Sequence, residues 1–520
     1  MKLQHLSLSA SALGLALAVS GTPAFAADKP ASAHVQCDGQ PNNVTSGETA
    51  ARIIGAVTLL GLFAPAPEAP DASKRKFGEA GVAVCTSLIE GEKAEGNASR
   101  RLGLILGRAI HQIEAKNYQA AIDDIAIARR EAKAGGMLDN PYFVRSRARS
   151  FDLIESAALL RMGRVEDARA AGLRGAELYQ YSLFDLLSLP TYAALVPALS
   201  EEEDRVLSWQ ARLIPPAALV RANRLDQVGR FAESARLRDA YVEYDTEHSP
   251  ELTSSTALAS AALAHALAGD LEKAAERAKA ARANVEKRKA DGKPETDTAE
   301  FVALMDLYNI VETAAKGDIK AARRLFAARS QWIGPSLGSV SEVNRRLRQG
   351  AAADELIGGL AKTPEELFKE QAETSRTAIL AKDSDNKTLF YLARGLRDAS
   401  VYESFSKNVW RTDKSKMILK TKADPAKYKM ESMYLPLTDP SAAMDAYVLH
   451  AALTAKARGH GGFVFTPILS GAITAGSFRT GNLGEKGFPA DLFIDAADVI
   501  AKLSPVIPDP ATLEARKAKR

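Results

Sequence analysis

Five segments of this 520-residue chain share one layout, and that repetition constrains the fold more than any other feature. An apolar stripe leads to a short turn, then an aromatic or aliphatic residue, then an alanine three or four positions on. The segments are IHQIEAKNYQAAIDDIAIA (110–128), ALLRMGRVEDARAAGLRGA (158–176), RLDQVGRFAESARLRDAYV (224–242), AHALAGDLEKAAERAKAAR (264–282) and VETAAKGDIKAARRLFAAR (311–329). From about residue 77 to residue 400, alanine, leucine, glutamate, lysine and arginine dominate, which are strong helix formers. Residues 251–290 hold 14 alanines in 40 positions, so the helices there approach closely.

The turn position is Gly163, Gly229, Gly269 and Gly317 in four copies and Lys116 in the first. Two residues later stand Tyr118, Val165, Phe231, Leu271 and Ile319, and the alanines are Ala121, Ala168, Ala235, Ala274 and Ala322. This pattern resembles the tetratricopeptide repeat, a pair of antiparallel helices with glycine at the turn and alanine where the two helices touch. Glycine suits that place because a helix C-terminus often closes in the left-handed conformation. The turn glycines are 66, 40 and 48 residues apart, against a family period of about 34. The resemblance implies a mainly α protein, a TPR-like α-solenoid of antiparallel helix pairs over 100–335, whose concave surface binds a protein or peptide partner. The alternative is an irregular helical bundle.

The chain opens with the features of a secretory signal over 1–26: Lys2, the apolar run Leu13–Val19 and the A-x-A site Ala24-Phe25-Ala26. The run is too short to cross a bilayer, which takes roughly 20 apolar residues. A second run, 53–64, is shorter than a span as well and reads as a buried helix begun at Thr45 or Ser46. These features predict a periplasmic or secreted protein with no transmembrane segment in the mature chain. Cys37 and Cys85 are the two cysteines, and an even count in an oxidising compartment predicts one disulfide, with two buried thiols as the alternative. Residues 27–99 read as an arm with capping helices.

Beyond the repeats, 336–406 reads as a helical connector, with Thr363 capping a helix whose first residue is Pro364. Residues 407–508 read as a small α/β domain: strands at 416–422, 463–469 and 472–478, helices at 439–458 and 490–503, helices on one sheet face. Residues 509–520 form a basic tail.

The net charge of +4 is small for this length and excludes a nucleic-acid binder with a concentrated basic face. The chain carries no G-x-S-x-G elbow, P-loop or H-E-x-x-H, and no cysteine–histidine set for zinc. No cofactor is expected. Lys414, Lys416, Lys420 and Lys422 sit in a cluster of eight bases and two acids between 407 and 429. They fit either an anionic envelope surface or an edge strand that blocks sheet-to-sheet pairing. His450, His460, Arg479 and Asp495 are the polar groups from which an envelope enzyme would build a site between the α/β domain and the repeats. A polymer or lipid carrier, the third reading, needs a large apolar groove.

Overall fold

The structure, a computed structural model, describes residues 31–42, 71–92, 94–182, 195–248, 253–293, 298–329, 331–383, 399–408, 421–422, 431–436, 440–470 and 473–508. The apolar run 53–64, the signal segment, the basic tail, and Lys414, Lys416 and Lys420 lie outside them. The chain divides into two compact units, the first containing 31–179 with 379–383 and 399–404 and the second 180–378 with 405–508.

The amino-terminal unit holds α1 (Ala33–Asp38), α2 (Gly78–Glu90), α3 (Ala98–Glu114), α4 (Tyr118–Ala134), α5 (Arg149–Arg161) and α6 (Val165–Leu173). Asn97 caps α3 by accepting from the Arg100 N–H. This helix is the core of the unit: Leu102, Leu104, Ile105, Leu106 and Ala109 are all fully buried, and the buried Arg100 and Arg108 on it are paired with Asp38 and Asp124. Cys37 and Cys85 form the expected disulfide, tying α1 to α2 beside α3. A π-helical turn, Val144–Ala148, leads into α5 and buries Arg145 and Arg147, with Arg149 just beyond it.

The second unit begins with α7 (Glu201–Leu213), α8 (Ala217–Gln227), α9 (Phe231–His248), α10 (Ser255–Ala268), α11 (Leu271–Ala290), α12 (Thr298–Ala315) and α13 (Ile319–Ala327). Then come α14 (Leu337–Arg348), α15 (Pro364–Asp383) and α16 (Ala399–Asn408), the last two each shared between the units. The cap at Thr363 is as expected: its hydroxyl accepts from the Glu366 N–H, and Glu366 accepts from the Thr363 N–H. The alanine-rich α10 is buried from Ser255 to Leu267 but for two positions, with α9, α11 and α12 packed around it.

All five repeat-like segments form helix pairs with one turn geometry. Gly163, Gly229, Gly269 and Gly317 have φ of 78°, 78°, 88° and 94°, and Lys116 adopts the same left-handed conformation at 66°. In each, the next residue's N–H reaches back five positions: Asn117 to Gln112 O, Arg164 to Leu159 O, Arg230 to Leu225 O, Asp270 to His265 O, and Asp318 to Thr313 O. The turn residue itself bonds three positions back, completing a Schellman motif that satisfies the orphan carbonyls of the first helix. The marked alanines are buried in all five pairs. In the third, the position three after Phe231 is Ser234, fully buried, its hydroxyl donated to Ala222 O, with Ala235 beside it. The aromatic or aliphatic position is less uniform: Phe231 is buried, whereas Leu271 and Ile319 are exposed.

The chain then forms β1 (Thr421–Lys422), β2 (Glu431–Pro436), α17 (Pro440–Ala457), β3 (Gly462–Ser470), β4 (Ile473–Gly481), β5 (Ile494–Asp495) and α18 (Ala496–Leu503). The sheet is antiparallel in the order β1-β2-β4-β3-β5. Its β3–β4 pair and α17 match the sequence reading, α18 covers only the second half of the expected 490–503, and of the expected strand 416–422 only Thr421–Lys422 falls among the described residues. The pattern missed β2, whose ESMYLP has little alternation, and the two-residue β5, whose formation delays the last helix to Ala496. Period-2 alternation explains the layering. Phe463 and Phe465 point to Tyr447 and Phe478 beneath α17, while Val464 between them joins Leu225, Leu237 and Tyr244 of α8 and α9. At Phe463–Phe465, β3 is thus covered on both faces, by α17 on one and by α7–α9 on the other.

Candidate interaction surface

The first helices of three consecutive pairs, α8, α10 and α12, share a face, and α14 packs against all three and against α13. Its seated side is Ser339, Val340, Val343, Asn344 and Leu347, all buried, while Arg345 and Arg346 face out. The spacing of three and four residues places these groups on one stripe. At its start the approach is close: a Cβ on Gly338 would collide with the backbone of Asp226 and Gln227 at the end of α8. The Asp226 carboxylate is buried there. Its Oδ2 accepts from the hydroxyls of Ser336 (2.7 Å) and Ser339 (3.1 Å) and from Arg238 Nη2 (2.9 Å), and its Oδ1 has no partner. Asn344 donates to Gly359 O and Lys362 O, and its Oδ1 likewise has none. At the far end Arg346 donates to Leu267 O, and Arg323 of α13 donates to Leu347 O and Gln349 O. None of these residues was marked by the sequence. The two-hydroxyl, one-glycine run SLGS before an apolar stripe is the signal that carries them.

A separate apolar groove of about 410 Å³ is lined by Ala299, Val302, Ala303 and Ile333, with Thr298, Arg329 and Gln331 at its rim. Val302 and Ile333 are 42% and 38% exposed, high for β-branched aliphatics beside a packed core. Arg329 is held by Asp306 (2.7 Å) and stacks over Trp332.

Two polar knots brace the helices. In the amino-terminal unit, His111 stands fully buried between Glu114 (Nδ1 to Oε2, 2.7 Å) and Cys37 O (Nε2 to O, 2.6 Å), and Arg75 pairs with Glu114 at 3.0 Å. Burial alone would raise the Glu114 carboxyl; the hydrogen bond to His111 and the charge of Arg75 outweigh it and hold Glu114 below its ordinary value. In the second unit Asp239 of α9 meets His265 of α10 and Lys273 and Arg277 of α11 within 3.0 Å. Here too burial is outweighed, by the hydrogen bonds to His265, Arg277 and Lys273, and Asp239 is pushed well below the carboxylate range.

Of the polar groups singled out in the α/β region, His460 and Arg479 share a neighbour, Glu485, while the contacts described for His450 and Asp495 lie elsewhere. The His450 ring lies edge-on to Phe478, with centroids 5.8 Å apart. His460 Nδ1 sits 2.9 Å from Thr480 Oγ1. Arg479 stacks over Phe488 at 5.0 Å, and Asp495 caps α18 by accepting from the Asp498 N–H. His460 and Arg479 both act on Glu485, whose carboxyl is lowered chiefly by Asn482 and secondarily by these two charges, in an exposed loop. The sheet face turned toward the repeats is filled by the apolar contacts of Val464, Phe488, Leu492 and Phe493 with α7–α9. Lys422 belongs to the short strand β1, and Lys414, Lys416 and Lys420 lie outside the described residues. Among the described residues no group of three or more His, Cys, Asp or Glu is placed to hold a metal, and no helix is long and apolar enough to cross a membrane.

Compared with protein-family models, with curated proteins and with solved structures, the chain matches none.

Proposed function

We propose that this protein is a TPR-like helical-repeat scaffold of the bacterial envelope that binds a protein or peptide partner. The observation that carries the reading is the turn. Five pairs close with one residue in the same left-handed conformation and the same backward hydrogen bond, and each buries a small residue where its helices cross. Pairs built alike stack by one repeated operation, which is how helical-repeat proteins generate extended binding faces. The exposed aliphatic groove at Val302 and Ile333 supports a partner whose apolar side chain enters it. The reading also takes residues 1–26 as a cleaved signal and the mature chain as periplasmic or secreted. This agrees with the Cys37–Cys85 bridge, which persists in an oxidising compartment.

The test places a photo-crosslinking residue at Val302 and, as control, at exposed Lys279. A saturable adduct with one discrete protein at Val302 and none at Lys279 is expected, together with a mature amino terminus at Ala27. No adduct above the control from well-folded protein counts against a scaffold that uses this groove, and an unprocessed cytoplasmic chain counts against the compartment.

A further inference from the structure

We infer that His111 is a buried proton sensor. While it carries both ring protons it fastens the amino-terminal arm, residues 31–42, to the helices of its unit, and when it loses one the arm loosens. The inference goes beyond the scaffold reading and does not depend on it. Three observations carry it.

First, the ring stands between two acceptors. Nδ1 lies 2.7 Å from Glu114 Oε2 and Nε2 lies 2.6 Å from Cys37 O, in a site closed to solvent. A backbone carbonyl only accepts, so Nε2 carries a proton. Glu114 accepts as well: Arg75 Nη2 donates to its Oε1 (3.0 Å) and the Gly78 N–H to its Oε2 (3.1 Å). Those two donors favour the ionised carboxylate, so the proton between Glu114 and the ring belongs to Nδ1. The geometry therefore holds an imidazolium. A neutral ring would set a bare nitrogen against an oxygen on one side or the other, a buried contact with no hydrogen in it.

Second, the slot is tight. A Cβ added to Gly81 of α2 would lie 2.4 Å from His111 Nδ1, so the ring is packed against the α2 backbone. A lost proton therefore breaks a contact rather than exchanging it for another. Third, the arm leans on that contact. Its helix α1 is seated across Gly103 and Gly107 of α3, where an added Cβ would come within 3.4 Å of Asp38 Oδ2 and 3.0 Å of Asp38 Cβ. The end of α1 is also tied by the Cys37–Cys85 bridge and by Arg100, which donates to Asp38 Oδ1 and Gln40 O, each at 2.9 Å. Toward its start His34 faces Glu95 at 3.4 Å, an attraction that needs a charged imidazole too, and burial and the charge of Arg100 hold the His34 pKa below its ordinary value. Among the described residues the charged groups around His111 are thus Glu114 and Arg75, with Asp38, Arg100, His34 and Glu95 along the arm. Of these residue types only histidine ordinarily changes charge between about pH 5 and 8. The bridge keeps a loosened arm attached, so the change reverses with pH.

The experiment uses the full chain with isotope-labelled histidine rings, the His111 signals being assigned by their absence in H111Q. Both of its nitrogens are expected to carry protons at about pH 5, and one proton to leave on the way to about pH 9. The native cysteines are bridged, so a nitroxide on A33C, at the exposed start of α1, reports alone. Its immobilised spectral component is expected to be lost in the same step and regained on return to low pH. A bare nitrogen on His111 at the acid end overturns the proposal. So does a label whose mobility stays unchanged as the proton leaves. So does a mobility change that persists in H111Q, since His34 then carries it. If H111Q does not fold, the label is read in H34Q, where the change is expected to remain and its disappearance overturns the proposal. The crosslinking result at Val302 bears on none of these outcomes, so the two readings fail separately.

Discussion

Replacing the turn glycines isolates the feature on which the repeat rests. At Gly269 and Gly317 an added Cβ meets nothing within 4 Å, so an alanine there changes only backbone energetics. With φ at 88° and 94°, an L-residue pays the left-handed penalty of roughly 1–2 kcal/mol. Against this, alanine restricts the unfolded chain and returns about 0.4–1 kcal/mol. The net expectation is a loss of about 1 kcal/mol for each of G269A and G317A. Lys116 provides the mirror experiment, since it already occupies the left-handed region at 66° and K116G should gain somewhat under 1 kcal/mol. Urea titration followed by circular dichroism reads all three, with the midpoint shift taken at constant slope. Midpoints unmoved or raised by G269A and G317A, or lowered by K116G, would refute the assignment of these residues as left-handed helix stops.

Three further outcomes follow from packing and charge. Substituting leucine at Ala274 or Ala322, both fully buried where two helices cross, should cost roughly 1–3 kcal/mol through overpacking, whereas leucine at exposed Ala275 should be near neutral in the same titration. Removing the bridge in a C37S/C85S chain should lower the stability of the amino-terminal unit by up to about 4 kcal/mol, the chain-entropy value for a separation of 48 residues, seen as earlier proteolysis there. Glu114 has a folded-state pKa below its ordinary 4.5, so its contribution is complete above 4.5 and fades as pH falls through the lower folded value; the urea midpoint of the amino-terminal unit should therefore drop below pH 4.5, and E114Q should weaken that part of the pH dependence.

The helices were legible because their signals are local. A glycine at a left-handed stop, an alanine three residues inside the next helix and a capping Thr363-Pro364 depend on neighbours in sequence, and each reappears in the coordinates. Cys37 and Cys85 were legible through compartment and parity. What escaped is set by distant contacts. Asp226 looks like any helix-terminal acid until Ser336 and Ser339, 110 and 113 residues away, are laid against it. Lys116 reads as a departure from the glycine rule, yet its backbone conforms. The polar groups His450, His460, Arg479 and Asp495 are the ionisable residues a pattern can pick out, but only the fold shows that His460 and Arg479 share Glu485 while His450 meets Phe478 and Asp495 caps a helix. The second covered face of β3 was invisible because Val464 meets Leu225 and Leu237 only in the folded chain.

Amide exchange resolved to single residues at Asn117, Arg164, Arg230, Asp270 and Asp318 is the most direct measurement. These five N–H groups make the backward bond that closes each pair. One repeated hairpin predicts slow exchange at all five, well below the rate of an open turn. Free exchange at any of them, with its flanking helices still protected, would contradict the claim that the five pairs are built alike.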